Sequence, residues 1–187
     1  GTYIFTDSIS TTFDNLFGEV YSGVDVTVRP KQADFGDEVK RTLSPELVED
    51  IKKIDGVSAV APGVNGYAQL IGKDGKPIGG QGPPTLGFDW TVEPGLQVLK
   101  INDGDGRAPT APGEVIIDKA TATTNGFVVG DKIQILLQGP AEEFTLVGIA
   151  TFGSADGLAG ATLAAFELKE AQRVLGSPDG YLSLDIK

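Results

Sequence analysis

The first thirty residues, GTYIFTDSISTTFDNLFGEVYSGVDVTVRP, constrain this chain more than any other stretch. Phe5, Ile9, Phe13, Leu16, Phe17 and Val20 recur at steps of four, four, three, one and three. That spacing lays one apolar stripe along a helix of period 3.6. Gly23 stops the pattern, and Val24, Val26 and Val28 then alternate with Asp25, Thr27 and Arg29 as a strand would. Only Gly1 and Thr2 precede the helix, with no capping box. At the other end Leu182, Leu184 and Ile186 alternate with polar residues up to the last residue, Lys187. The expectation is a soluble domain cut from a longer protein, with residues 1–22 forming a stalk helix that continues upstream.

Several kinds of chemistry are excluded by what the chain lacks. With no histidine and no cysteine, it has no imidazole zinc site, no Ser-His-Asp triad, no thiol nucleophile and no disulfide framework. No apolar run reaches the eighteen or so residues that span a bilayer. A net charge of −11 repels phosphate backbones and anionic headgroups, so nucleic acid is not an expected partner. The 26 glycines and 11 prolines imply short elements joined by many turns.

Taken in order, Ser44-Pro45-Glu46 reads as a helix start, with Leu47, Val48, Ile51 and Ile54 as its apolar face and Asp55-Gly56 as its end. Strands are expected around Val57–Ala61 and over Tyr67–Ile71, followed by a hairpin turn at Lys73-Asp74-Gly75-Lys76. Residues 79–95 read as a loop holding the sole tryptophan, Trp90, and Asn102–Gly106 as a polar turn. Val115–Ile117 is a short strand, Asp118 caps a helix over Lys119–Thr124, and Asn125-Gly126 closes it. Two antiparallel strands follow, Lys132–Gln138 and Glu143–Thr151. A strand over Ala161–Phe166, a helix over Glu167–Leu175 and the last strand complete the chain. The expected fold class is α+β. Two strand-helix-strand units pack as one discontinuous α/β lobe, residues 23–85 and 143–187, with 86–142 as a smaller β-rich inserted lobe after the stalk helix.

The candidate sites are few. The Asn102–Gly106 turn resembles a calcium loop, but the ligand positions of an EF-hand fail in either register, which leaves a solvated turn or a weak cation site. Gly79-Gly80-Gln81-Gly82 lacks the Gly-Lys-Ser/Thr and the helix of a phosphate loop. Hydrolysis would fall to paired carboxylates drawn from Asp103, Asp105, Glu114 and Asp118, yet Glu114 and Asp118 read better as a strand-edge residue and a helix cap. Phe88 and Trp90 are candidate partner contacts or a plug at a lobe boundary. Phe5, Ile9, Phe13, Leu16 and Phe17 are candidate stalk packing.

One longer pattern accumulates from these pieces. Gly106-Arg107-Ala108-Pro109, then Pro112-Gly113-Glu114-Val115-Ile116-Ile117-Asp118, Ala122 and Gly126-Phe127-Val128-Val129-Gly130-Asp131-Lys132-Ile133 resemble the extracytoplasmic domain of FtsX-like, MacB-type ABC transporter permeases. Phe13-Asp14-Asn15-Leu16-Phe17 followed by Val24–Val28 resembles the segment that leaves the first membrane helix in that family, and Thr151–Gly160 with Ala171-Gln172 fits the end of the domain. The resemblance implies a non-enzymatic domain outside the membrane, with no cofactor of its own; ATP would bind a separate cytoplasmic ATPase. It implies a second permease copy aligned through the membrane part, and a relay of ATP-driven motion to a protein, lipoprotein, lipid or small exported molecule. A free-standing secreted or surface binding module for a protein or glycan is the alternative.

Overall fold

The computed structural model describes residues 23–31, 42–80, 82–158 and 160–187. The expected stalk helix, with Phe5, Ile9, Phe13, Leu16 and Phe17, lies outside them. Among the described residues there are two sheets and three short helices. The smaller sheet has the order β1 (Val26–Val28), β11 (Ser183–Ile186), β2 (Val60–Gly63). Its central strand is antiparallel to both neighbours. Helix α1 (Pro45–Lys52) packs on it, burying Val48 and Ile51 against Val60 and Leu184. The expected start is in place: the Leu47 N–H donates to Ser44 Oγ at 3.4 Å and Pro45 opens the helix. The helix ends earlier than its apolar period suggests, at Lys52, so Ile54 falls beyond it and is exposed.

The larger sheet has the order β3 (Asn65–Tyr67), β5 (Thr85–Asp89), β10 (Thr162–Phe166), β7 (Glu114–Asp118), β9 (Glu142–Phe152), β8 (Lys132–Leu136), β4 (Gln69–Ile71), while β6 (Leu99–Gly106) pairs with the far half of β9. Its first and last strands, β3 and β4, are separated in the chain by Ala68 alone, so the sheet curls back on itself. Inside the curl lie Leu70, Val115, Ile117, Phe144, Leu146 and Phe166, closed over by α2 (Lys119–Asn125) and α3 (Leu168–Val174). The alternation of strand side chains sends Ile116, Leu163 and Ala165 to the opposite face, where they meet Trp90, Val147 and Phe152 in a second core. Such strands are apolar on both sides, and all five residues of β10 are buried. In β9 the register against β7 slips between Leu146 and Gly148. Phe144 and Leu146 therefore face the first core while Ala150 and Phe152 face the second.

Strand pairing distributes the chain differently from the lobes expected at 23–85 with 143–187 and at 86–142. β6, β7 and β8 come from 86–142, yet they lie in one ladder with β9 and β10. The compact unit apart from that ladder is instead the small sheet, drawn from both ends of the described chain. β1 and β2 run parallel as a strand-helix-strand unit should, but β11 sits between them.

Two stretches that read as loops are strands. β5 occupies part of 79–95, and the reason is Gly87. A Cβ there would stand 2.6 Å from Leu175 Cδ2 and 2.9 Å from Ala68 Cβ, so the glycine permits α3 to approach the sheet rather than marking a break. β6 runs through Asn102–Gly106, its pairing with β9 irregular between Ile101 and Gly106, where Gly104 takes φ 88°. The hairpin after β4 has three residues between Gly72 and Lys76 rather than two, with Gly75 at φ 77° as in a bulged turn.

Candidate functional site

At the end of β5 three residues in succession reach the joint between the sheets. Phe88 and Trp90, two apart on a strand, fall on the same face and pack with the second core. Trp90 is only 9% exposed, and its backbone N–H donates to the Phe166 carbonyl at 2.6 Å. Trp90 lines three spaces: a partly open cavity of about 100 Å³ between the sheets, a groove of about 410 Å³ beside α1, and an open groove of about 700 Å³ along β6. A partner that touched this indole would have to enter one of those grooves.

Asp89, between the two aromatics, turns to the crossover from the small sheet to the large one. β2 ends at Gly63 and β3 begins at Asn65, so Val64 alone makes the passage. The Val64 N–H donates to Asp89 Oδ1 at 2.8 Å, and the Asp89 N–H donates to the Val64 carbonyl at 3.2 Å. Part of Asp89 opens on the cavity, but protein surrounds its carboxyl, and this desolvation pushes the pKa up to about 7; the Val64 N–H and the Thr91 hydroxyl pull it back only in part. Across the same cavity stand Asp185 of β11 and Arg29, just after β1. Asp185 is also raised by burial, against the Thr27 hydroxyl, which donates to it at 2.7 Å, and the attraction of Arg29. Gly63 keeps the joint tight: a Cβ there would meet Ser183 Oγ at 2.8 Å and Asp89 Oδ1 at 3.3 Å.

The acids singled out in the sequence do not converge. Asp118 is fully buried and saturated: the Thr121 N–H, the Thr121 hydroxyl and the Leu163 N–H donate to it at 2.8, 2.8 and 2.9 Å. It therefore both caps α2 and ties β7 to β10. Glu114 folds the Gly106–Gly113 segment. Arg107 meets it in a two-pronged pair, and the Thr110 and Ala111 N–H groups donate to it at 2.8 and 3.2 Å. The Arg107 guanidinium and these N–H groups hold its carboxyl down to about 2. Asp105 lies 3.4 Å from Lys119 Nζ, and Asp103 lines the open groove. Among the described residues no three acids gather as a metal site would require, and no helix is long and apolar enough to cross a membrane. Gly79, Gly80 and Gly82 lead into β5 rather than a helix. Asp89, Asp185 and Arg29 escaped the sequence reading; the one signal was a charge between two aromatics at an inward-facing stretch.

The model of the MacB-like periplasmic core domain matches residues 1–186. The chain belongs to that family. The Arg107–Glu114 loop, the capped α2 and the Gly130-Asp131 turn, which carried the resemblance, are thus parts of a MacB-like core fold. The periplasmic region of MacB from Actinobacillus actinomycetemcomitans has a similar structure, at TM-score 0.58 and 13% identity, over 90% of this chain and 79% of that one. The extracellular domain of the noncanonical ABC-type transporter YknZ from Gram-positive bacteria is similar at TM-score 0.52 and 15% identity, over 78% of this chain and 73% of that one. At such identities the likeness is one of fold. Curated proteins offer no match to the sequence.

Proposed function

We propose that this MacB-like core domain is the extracytoplasmic relay of an ABC transporter permease. In this reading it stands on the outer face of the cell membrane and passes ATP-driven motion of the membrane part to a partner outside, a protein, lipoprotein or lipid. It performs no chemistry on that partner and holds no cofactor. ATP is bound and hydrolysed by a separate cytoplasmic ATPase, and two permease copies meet through their membrane segments. Phe88 and Trp90 shape the grooves a partner would enter.

The observation that carries the reading is the pairing of β1 with β11. Val26 lies opposite Ile186 and Val28 opposite Leu184, and the Asp25 N–H donates to the Ile186 carbonyl at 2.8 Å. The earliest and latest described strands are thus neighbours in one small sheet, and a pull on either moves both. From that sheet a single residue, Val64, leads into the large one. A second connection runs from α3 to β11, where Tyr181 packs against the cores of both units; two packed units joined at two such places have the geometry of a lever.

The test is made on the full-length protein with its ATPase in lipid nanodiscs, by hydrogen exchange of β1 and β11 with and without ATP. The relay predicts exchange that changes with nucleotide and fails to change when the ATPase is inactivated. A full-length protein recovered from the soluble fraction with no membrane-bound ATPase would contradict it, as would exchange indifferent to ATP.

A further inference from the structure

We propose that the joint between the two sheets is a proton-sensitive latch, in which Asp89 of the large sheet and Asp185 of the small sheet together hold one proton when the joint is closed and release it when the joint loosens. This goes beyond the relay reading and stands on the domain by itself.

Four features of the joint place the two acids to act in this way. They sit on different sheets and line one cavity that is partly open to solvent. Asp89 is also the group that grips the only residue of the crossover, through Val64 N–H at 2.8 Å and Val64 O at 3.2 Å. Gly63 and Ser183, which are register partners in the small sheet, crowd the same carboxyl. Among the described residues the cavity is lined by one cation, Arg29, against two carboxyls, so with both ionised its lining carries a net negative charge. Two like charges in a poorly solvated space disfavour double ionisation, and one proton on the pair relieves it. On the other side of Asp89, the groove beside α1 brings Glu49, Lys52, Glu93 and Glu167, with the Tyr181 phenol. Lys52 there pairs with Glu49 at 3.2 Å, and Asp185 is the charge that acts on Asp89. Burial holds both Asp89 and Asp185 above the ordinary carboxylate range, and Asp185 is among the groups raising Asp89.

Protonation changes what the joint can do. A neutral Asp89 keeps a carbonyl oxygen to accept the Val64 N–H and gains an O–H that can donate across the cavity to the small sheet. An ionised Asp89 keeps the Val64 contact but faces Asp185 as a second anion. The first arrangement draws the sheets together and the second pushes them apart.

Trp90 is the only tryptophan and borders the cavity, so its fluorescence reports the joint directly. Titrating the 187-residue chain between pH values of about 5 and 9 should give one inflection near 7, together with a step in the exchange protection of the Val64 amide at the same pH. Asp89→Asn should abolish both, and Asp185→Asn should move the inflection down by removing the second anion. An inflection that survives in Asp89→Asn overturns the proposal, as does a wild-type chain with none. If the Asp89→Asn variant fails to fold, the carbon-13 shift of the wild-type Asp89 carboxyl decides: titration near 7 sustains the latch, and titration near the ordinary value of about 4 overturns it.

Discussion

The central strands β7 and β10 of the large sheet are buried on both faces, whereas the small sheet buries one face and leaves the other near solvent. β10 has every residue inside, and Ile116 and Ile117 of β7 serve two different cores. In the small sheet β1 is largely exposed, and stability comes from Leu184 and Val60 under α1. Rigidity follows apolar burial, so in the proposed relay the large sheet is the frame and the small one the part displaced against it. Their joint sets Asp89, Asp185 and Arg29 among apolar residues such as Trp90 and Phe152, and that is where the two regimes meet.

The comparison breaks most severely if the frame is damaged. Phe166 is fully buried and its ring centroid lies 5.1 Å from that of Phe144. Phe166→Ala should cost about 3–5 kcal/mol and abolish the cooperative transition of the whole domain in urea melts. In Leu184→Ala, a cost of about 2–4 kcal/mol should appear as lost exchange protection confined to β1, β2 and β11. If both variants unfold the domain as one unit, the two sheets are not separable parts.

The pH dependence comes next. Asp89 is raised from 3.8 to about 7 in the folded protein, so between those values the folded chain binds the proton that the unfolded chain has lost. Stability contributed by this group is therefore full below about 4 and falls as pH rises to about 7, by roughly 4 kcal/mol. Asp89→Asn should match wild type in denaturant melts near pH ~4 and exceed it near pH ~8. Glu114 shows the opposite sign. Its carboxyl is lowered from 4.5 to about 2, so its contribution is present above 4.5 and lost as pH falls through 2. Glu114→Gln should flatten the acid limb of the stability curve and leave the neutral limb untouched, which separates the Gly106–Gly113 loop from the joint.

Smaller effects come from packing at single glycines. Gly87→Ala should destabilise by about 1–3 kcal/mol, because Leu175 and Ala68 leave no room for a methyl group.

What the sequence revealed and what it hid follow from the range of the interactions. Helix α2 was legible because its signals are local: Asp118 accepts from Thr121 three residues on, and Gly126 ends the helix at φ 70°. Ser44-Pro45 was legible for the same reason. β5 was not, since Gly87 looks like a breaker until α3 is seen packed against it. β6 was hidden by Asn102–Gly106, whose polar composition is tolerated because much of that segment is exposed. Phe88 and Trp90 could be singled out as aromatics among glycines and prolines. The site around them could not, because Asp185 reaches Asp89 only through the return of β11 between β1 and β2. Residues 86–142 looked like a separate lobe because pairing partners such as Phe88 and Ala165 are remote in sequence.

Motion of the small sheet against the large one, the core of the proposed relay, is measured directly by a distance. With no native cysteine in this chain, cysteines placed at Val26 in β1 and at Val128 beside the large sheet, both exposed, can carry spin labels at defined points. In the full-length permease with its ATPase in nanodiscs, the label-to-label distance should shift when ATP is bound and return after hydrolysis. A distance distribution that stays the same while ATP turns over would mean that the two sheets move as one body, and the lever would be wrong.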